Sequence, residues 1–256
     1  MATVLRSRLL DEAGFAHAFS TRNGGVSRSP FDTCNLARSV GDDPEHVAEN
    51  RRRFAQAAGF AGKTLFGVSQ VHGARTLVVV SGDDPALVAD EEADAIVATA
   101  DSDAAVGVRV ADCVPVLLAD PDRRVVAAVH AGWRGVVRGV VASAIGAMRA
   151  LGARPDAILA AIGPHIRVGA FEVGPEVAEE IRAAVPEAEH LIVQEDGTKP
   201  RVDLMRAVIA QLRVAGLRDT SIDDVGGCTW TEGERFFSFR RDGKRSGRLV
   251  GAIHAR

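Results

Sequence analysis

The 256-residue chain contains no tyrosine, and aromatic residues make up only 5% of it. Rings this scarce argue against the stacked aromatic platforms that hold single-stranded nucleic acid. Net charge is small: 31 lysines and arginines face 34 acidic residues, a formal charge of -3. No broad field therefore draws nucleic acid or an anionic membrane, and only a local basic pocket remains open as a reading. The three cysteines, Cys34, Cys113 and Cys228, stand far apart with no Cys-x-x-Cys. An odd, scattered set argues against a disulfide framework and for a reducing compartment. No stretch approaches about 20 uncharged apolar residues, so no membrane span is expected. The segment Met1 to Asp11 lacks the unbroken apolar core of a secretion signal, and the cytoplasm is the expected location.

Missing motifs narrow the chemistry. A Gly-x-x-x-x-Gly-Lys-Ser/Thr loop is absent, which excludes an ATPase of that kind. The His-x-Glu…Pro-Cys-x-x-Cys pattern of nucleobase deaminases and the Gly-x-Ser-x-Gly elbow are absent as well.

What is present is an ordinary globular balance, 46% hydrophobic and 25% charged, with no repeat, linker or abrupt change of composition. One α/β domain with a mixed sheet over residues 1–256 is the simplest account. Strands are expected over Phe15 to Thr21, in two segments of Leu65 to Val80, and over Ala93 to Thr99, Ala104 to Val110 and Ala157 to Ile162. Pro115 suggests that Val114 to Ala119 is a bent or edge strand. Asp43 and Pro44 open a helix that Gly59 closes. Its outer face carries Arg51, Arg52 and Arg53, which read as a solvated surface. Further helices are expected over Val136 to Ala150, from Pro175 to about Ala184, and from Asp203 to Gly216. Arg235 to Gly243 reads as a strand entering a turn, with Leu249 to Ala255 as the returning strand.

The chain is organised around Arg124-Val-Val-Ala-Ala-Val-His130-Ala-Gly132-Trp-Arg134-Gly135. Five apolar residues deliver a histidine to a strand end, and two glycines then turn the backbone into a helix. Sites of α/β sheets gather at such ends. Two other stretches converge on it by pattern: Ser69-Gln70-Val71-His72-Gly73 and Arg109-Val110-Ala111-Asp112-Cys113. His72, Cys113 and His130 would make a three-ligand zinc shell with one open position, as catalytic zinc sites have. Such an ion lowers the pKa of a bound water to about 7 or polarises a substrate oxygen. The same residues also fit a Cys113 nucleophile activated by a histidine. Spacing alone favours a third account, a buried cysteine near two core histidines. Arg22, Arg134 and Arg240 lie beside turns or glycines and offer forked donors to phosphate or carboxylate. Arg134 leads, because a nearby helix start adds N–H donors; solvation of the surface is the alternative for each. Asn35 suits either a substrate hydroxyl or an ordinary turn.

Motifs spanning nearly the whole chain resemble the YfiH family, also labelled polyphenol oxidase or laccase-domain proteins and purine nucleoside phosphorylases. They are Ser20-Thr-Arg-Asn-Gly-Gly-Val-Ser27, Asn35-Leu36, Val40-Gly-Asp-Asp-Pro44, Gln70-Val-His-Gly73, Glu92-Ala-Asp-Ala95 and Ala111-Asp-Cys-Val-Pro-Val116. His130-Ala-Gly-Trp-Arg-Gly135, Gly163-Pro164, Phe171-Glu-Val-Gly174, Asp203-Leu204, Cys228-Thr229 and Phe236-Phe-Ser-Phe-Arg-Arg-Asp-Gly243 continue the order. The resemblance implies a single domain, α/β or α+β, of layered α-β-β-α architecture with mixed sheets, YfiH/CNF-like. It implies Zn2+ at His72, Cys113 and His130, and a phosphate and ribose pocket lined by Arg22, Asn35 and Arg134. The implied reaction is phosphorolysis of adenosine, inosine, guanosine or methylthioadenosine, with adenosine deamination as a second activity, by a monomer or homodimer. A role in editing peptidoglycan precursors is tied to some relatives; a Cys-His amidase or a scaffold with a purely structural metal would be the corresponding alternatives. Relatives commonly carry paired cysteines where this chain has Gly169 and Ala170, so no role of those cysteines transfers. His165, in the same run, reads as a loop histidine. Copper chemistry of the laccase kind fits poorly, since the 7 histidines form no His-x-His pair.

Overall fold

The computed structural model describes residues 1–185 and 188–255. Its strands are β1 (Val4–Leu5), β2 (His17–Ser20), β3 (Leu65–Phe66), β4 (Thr76–Val79), β5 (Ala95–Thr99), β6 (Ala105–Val110), β7 (Val114–Asp120), β8 (Val125–Ala131), β9 (Leu159–Ile162), β10 (Ile192–Val193), β11 (Arg201–Val202), β12 (Ile222–Asp224) and β13 (Leu249–His254). The helices are α1 (Arg8–Glu12), α2 (Pro44–Ala58), α3 (Pro85–Asp90), α4 (Trp133–Val137), α5 (Val140–Ala150), α6 (Pro175–Ala184), α7 (Leu204–Val214) and α8 (Phe239–Asp242).

Two mixed sheets lie face to face. One has the order β12-β9-β7-β8-β5-β4 and the other β1-β2-β13-β6-β3. Alternation along each strand divides the apolar residues between cores. On β7, Val116 and Leu118 pack with α5, α6 and α7, while Leu117 and Ala119 pack between the sheets against Phe19, Val106 and Ile253. On the far side, Phe54 and Ala58 of α2 cover Ala18, Val250 and Ala252. The layers therefore run α-β-β-α, as the family resemblance implies.

Local signals account for most helices. The Asp43 side chain accepts from Glu45 N, Pro44 opens α2 and Gly59 closes it. Asp203 caps α7 through Arg206 N. Three expectations are corrected. Pro115 sits in a central strand, because its carbonyl and its missing N–H face β9 beyond the last β7–β9 pair, Val116 with Ile162; there Gly163 N donates to Pro115 O at 2.9 Å. The helix expected over Val136 to Ala150 is two, α4 and α5, broken at Gly139, whose φ of 82° leaves the helical region. Phe239–Asp242 is a helical turn, not a strand, because Ser238 Oγ accepts from Arg241 N as its cap.

Since both faces of β7 are dry, Leu117→Ala and Leu118→Ala should each lower unfolding stability by about 2–5 kcal/mol. Denaturant titration checks this. A sheet with one wet face would feel only one of the two substitutions.

Candidate metal centre

Register assembles the site. β5 and β8 pair antiparallel with Ala95 opposite Val129, which sets Asp94 opposite His130, and His130 N donates to Asp94 O at 2.7 Å. β7 and β8 pair with Val114 opposite Ala131, so Cys113, just before β7, meets the turn that leaves β8 at Gly132. His72 arrives on the loop between β3 and β4. The donor atoms of His72, Cys113 and His130 lie within 4.8 Å of one another. Thus the three residues nominated from sequence come together at the start of β7 and the end of β8, with a loop above them.

The buried carboxylate of Asp94 fixes two of the three. Its Oδ1 accepts from His130 Nδ1 at 2.7 Å and from His72 N at 3.0 Å; its Oδ2 accepts from Gly73 N at 2.6 Å and Val71 N at 3.2 Å. With Nδ1 of His130 holding its proton toward Asp94, Nε2 is left for a cation. The backbone bonds also hold His72 at φ 58°, a left-handed conformation unfavourable for a side chain with a Cβ. Asp112 is held likewise at φ 95°: its carboxylate accepts from Thr229 Oγ1 and Arg240 N, both at 2.6 Å, and so aims the following Cys113. Gly132 leaves room for the trio, since a Cβ there would fall 2.8 Å from His72 Cδ2 and 3.1 Å from Cys113 Sγ.

The donor set fits one small soft-tolerant cation. Cys113 Sγ lies 3.8 Å from His72 Nε2. A tetrahedral zinc with its usual bond lengths needs a sulfur–nitrogen edge of about 3.6 Å. Without a metal, burial opposes charge on Cys113 and His130. Their mutual attraction outweighs it: His130 and then His72 bring the thiol down to about 6, while Cys113 and Asp94 lift the His130 imidazole to about 9.

The trio opens on a cleft of about 390 Å³. Arg109, Arg134, Arg240 and Arg248 line it, and the one lining carboxylate is Asp112, already accepting two hydrogen bonds. Three of these arginines rest on rings: Arg134 4.5 Å from Trp133, Arg240 5.4 Å from Phe171, and Arg248 5.6 Å from Phe239. The Arg134 side chain makes no hydrogen bond or ion pair among the described residues. Burial, and then Arg248, lower the Arg109 guanidinium. A cleft of unpaired cations is built to receive an anion.

Two residues expected to line this pocket lie elsewhere. Arg22 donates to Asp32 O, Asp32 Oδ2 and Gly233 O and stacks on Phe237, away from the cleft. Asn35 is fully buried and donates to Ala37 O and Asp42 Oδ2, while its Oδ1 accepts from Ala37 N and Arg248 N. It therefore positions Arg248 rather than a ligand. The helix start expected to add donors beside Arg134 is the single turn α4, whose Val136 N already donates to Gly132 O. His165 is buried, its Nδ1 bonded to Gly163 O at 2.8 Å; burial and Arg167 push it down to about 4. Asp94, Arg109, Arg248 and Phe239 carry no role assigned from sequence, although the first two and Phe239 lie within stretches named there. Asp94 left a signal, an acid between Ala93 and the apolar run Ala95 to Val97.

A family model described as multi-copper polyphenol oxidoreductase laccase matches residues 16–256. The chain belongs to this family, whose members include the YfiH proteins. Purine nucleoside phosphorylase ORF3 of Streptomyces griseus is 41% identical over 251 residues, covering 98% of each chain. Purine nucleoside phosphorylase YfiH of Escherichia coli is 38% identical over 240 residues, covering 94% of this chain and 93% of that one. The crystal structure of Bacillus licheniformis hypothetical protein YfiH superposes with a TM-score of 0.86 at 29% identity, covering 93% of this chain and 91% of that one. Neisseria meningitidis protein NMB0706 does so with a TM-score of 0.84 at 32% identity, covering 99% and 98%. No helix among the described residues is long and apolar enough to cross a membrane.

Two outcomes are expected. Asp94→Asn should weaken zinc binding by about 10- to 100-fold, read by competition with a chromophoric chelator. In metal-free protein, iodoacetamide should modify Cys113 at a rate that rises with pH to half its maximum near 6, the thiolate forming above that point. Cys34, pushed up to about 11 by burial, should stay unreactive across that range. Half-maximal modification of Cys113 near its ordinary value of about 8.5 would contradict the pairing with His130.

Proposed function

We propose that the chain is a zinc-dependent purine nucleoside phosphorylase that converts adenosine, inosine, guanosine or methylthioadenosine and phosphate to the free base and a ribose 1-phosphate. The observation that carries this reading is the three-donor His-Cys-His set facing a cationic cleft of about 390 Å³. The names of the relatives support it at the level of the general reaction.

His72, Cys113 and His130 would hold the ion, and Asp94 would keep Nδ1 of His130 protonated so that Nε2 faces it. When bound, zinc supplies Lewis acidity toward a substrate oxygen or water, which also accounts for adenosine deamination as a side activity. Arg134 and Arg240 would take the phosphate, their guanidinium planes steadied by Trp133 and Phe171. A phosphate oxygen forms the bond to C1′ as the C1′–N9 bond breaks, and the electron pair leaves with the purine, which takes up a proton. Held this way, phosphate meets C1′ already oriented, and the arginine charges stabilise the transition state. The half-exposed Phe239 ring at the rim offers the base a flat apolar face. Zinc is preferred to copper because a multicopper oxidase needs several imidazole clusters, and His72, Cys113 and His130 are the one such group with three donors among the described residues.

Cys113, His130 and Asp94 also form a thiol–imidazole–carboxylate series, the arrangement of a cysteine hydrolase or amidase acting on a cell-wall precursor. A second imidazole, His72, on the same sulfur favours the metal, since a triad needs only one. A structural metal would need a fourth protein ligand closing the shell.

Zinc-loaded protein given adenosine and phosphate should release adenine and ribose 1-phosphate. Cys113→Ala should lose both zinc and turnover, and Arg134→Gln should raise KM for phosphate about tenfold with a smaller change in kcat. Turnover by metal-free protein, with a covalent adduct on Cys113, would favour the hydrolase instead.

A further inference from the structure

A second cavity, of about 310 Å³, lies beside the metal cleft and shares Gln70 and Arg109 with it. The reaction proposed above has no use for it. Arg38, Arg51 and Arg109 form its polar wall, Leu65, Phe66 and Val250 line it as well, and no carboxylate does.

Of Arg51, Arg52 and Arg53, expected to form one solvated face, only Arg52 is exposed; Arg53 is half-buried and also gives Nη1 to Gly24 O at 3.2 Å. Arg52 and Arg53 share Glu49, at 2.8 and 2.7 Å, on the same helix. Arg51 lies on the cavity side of α2, half-buried, and gives its Nε to Leu36 O at 3.0 Å. Arg109 gives Nη2 to Val68 O at 2.7 Å. These backbone bonds fix where the two guanidinium groups sit and neutralise neither charge. Arg38, exposed at the rim, has no hydrogen-bonded or ionic side-chain partner among the described residues. Burial, then Arg38 and Arg109, bring the Arg51 guanidinium down to about 10. Half-buried Arg51 and Arg109, with Arg38 at the rim and no carboxylate among the lining residues, leave a cationic wall whose field favours an anion. Forked guanidinium donors match the oxygens of phosphate in particular. The apolar side of the cavity gives a carbon body attached to such a phosphate a place to lie.

We propose that this cavity is a second anion site, which takes a phosphate dianion, free or as the monoester of a compact organic group, between Arg38, Arg51 and Arg109. It abuts the segment that carries His72, because Gln70 Nε2 donates to Arg109 O at 2.7 Å and its Oε1 accepts from Arg109 N at 2.9 Å. The site does not depend on the nucleoside reaction, and its test reads binding rather than turnover.

Calorimetric titration with inorganic phosphate and with phenyl phosphate, on zinc-loaded protein, compares the wild type with Arg38→Gln, Arg51→Gln and Arg134→Gln. A binding event that survives Arg134→Gln and weakens about tenfold or more in Arg38→Gln supports the site. Arg38 is exposed, so that variant should keep the wild-type Tm and zinc content even if Arg51→Gln fails to fold. Tighter binding of phenyl phosphate assigns the site to a phosphomonoester, and equal or weaker binding assigns it to free phosphate. The proposal is overturned if no phosphate binds, or if Arg38→Gln leaves every binding event unchanged.

Discussion

The Asp94 carboxylate is the constraint on which the rest of the site depends. One buried acid receives His130 Nδ1 and the backbone N–H groups of Val71, His72 and Gly73. It thereby joins a strand, β8, to a loop that has no ladder of its own at that point. Without the strand register that places Asp94 opposite His130, the turn Val71 to Gly73 would lose the acceptor of its three backbone N–H groups. The His130 ring would also lose the tautomer and orientation that leave its Nε2 toward Cys113 and His72. The charge is tolerable there because every neighbour that touches it is a donor.

Around that point the protein arranges charge of two kinds. Close in, Cys113 and His130 each favour the other's charged form. Farther out, arginines rest on the rings of Trp133, Phe171 and Phe239 instead of on carboxylates. Stacking fixes a guanidinium without neutralising it, so the cleft keeps its attraction for anions. A chain with an overall charge of -3 can therefore present a strongly cationic pocket.

Much of this was legible in the amino-acid order, for physical reasons that differ from place to place. Helix ends with a polar cap and a closing glycine, as at Asp43 and Gly59, are local, and they were read correctly. His72, Cys113 and His130 were legible because each stands where an apolar run gives way to glycine or polar residues. What the order could not reveal was non-local. Pro115 looks like an edge residue until the position of β9 is known. Gly139 breaks a helix that apolar periodicity carries straight through. Ser238 caps a turn inside a stretch whose phenylalanines suggest a strand. Arg22 and Asn35 occupy family motif positions, yet their hydrogen bonds are all to neighbouring loops, a role indistinguishable in sequence from ligand contact. Arg51 is the reverse case: its neighbours share an acid four or fewer residues away, and only the packing of α2 shows that it faces inward.

The donors of His72, Cys113 and His130 are placed to surround a single divalent ion with one sulfur and two imidazole nitrogens, one position being left open. X-ray absorption at the zinc edge of purified, zinc-loaded protein tests it most directly. One sulfur at about 2.3 Å and two imidazole nitrogens at about 2.0–2.1 Å, with one further light atom, are the expected shell. A shell that contains no sulfur, or zinc that cannot be retained at one equivalent per chain, would contradict the account.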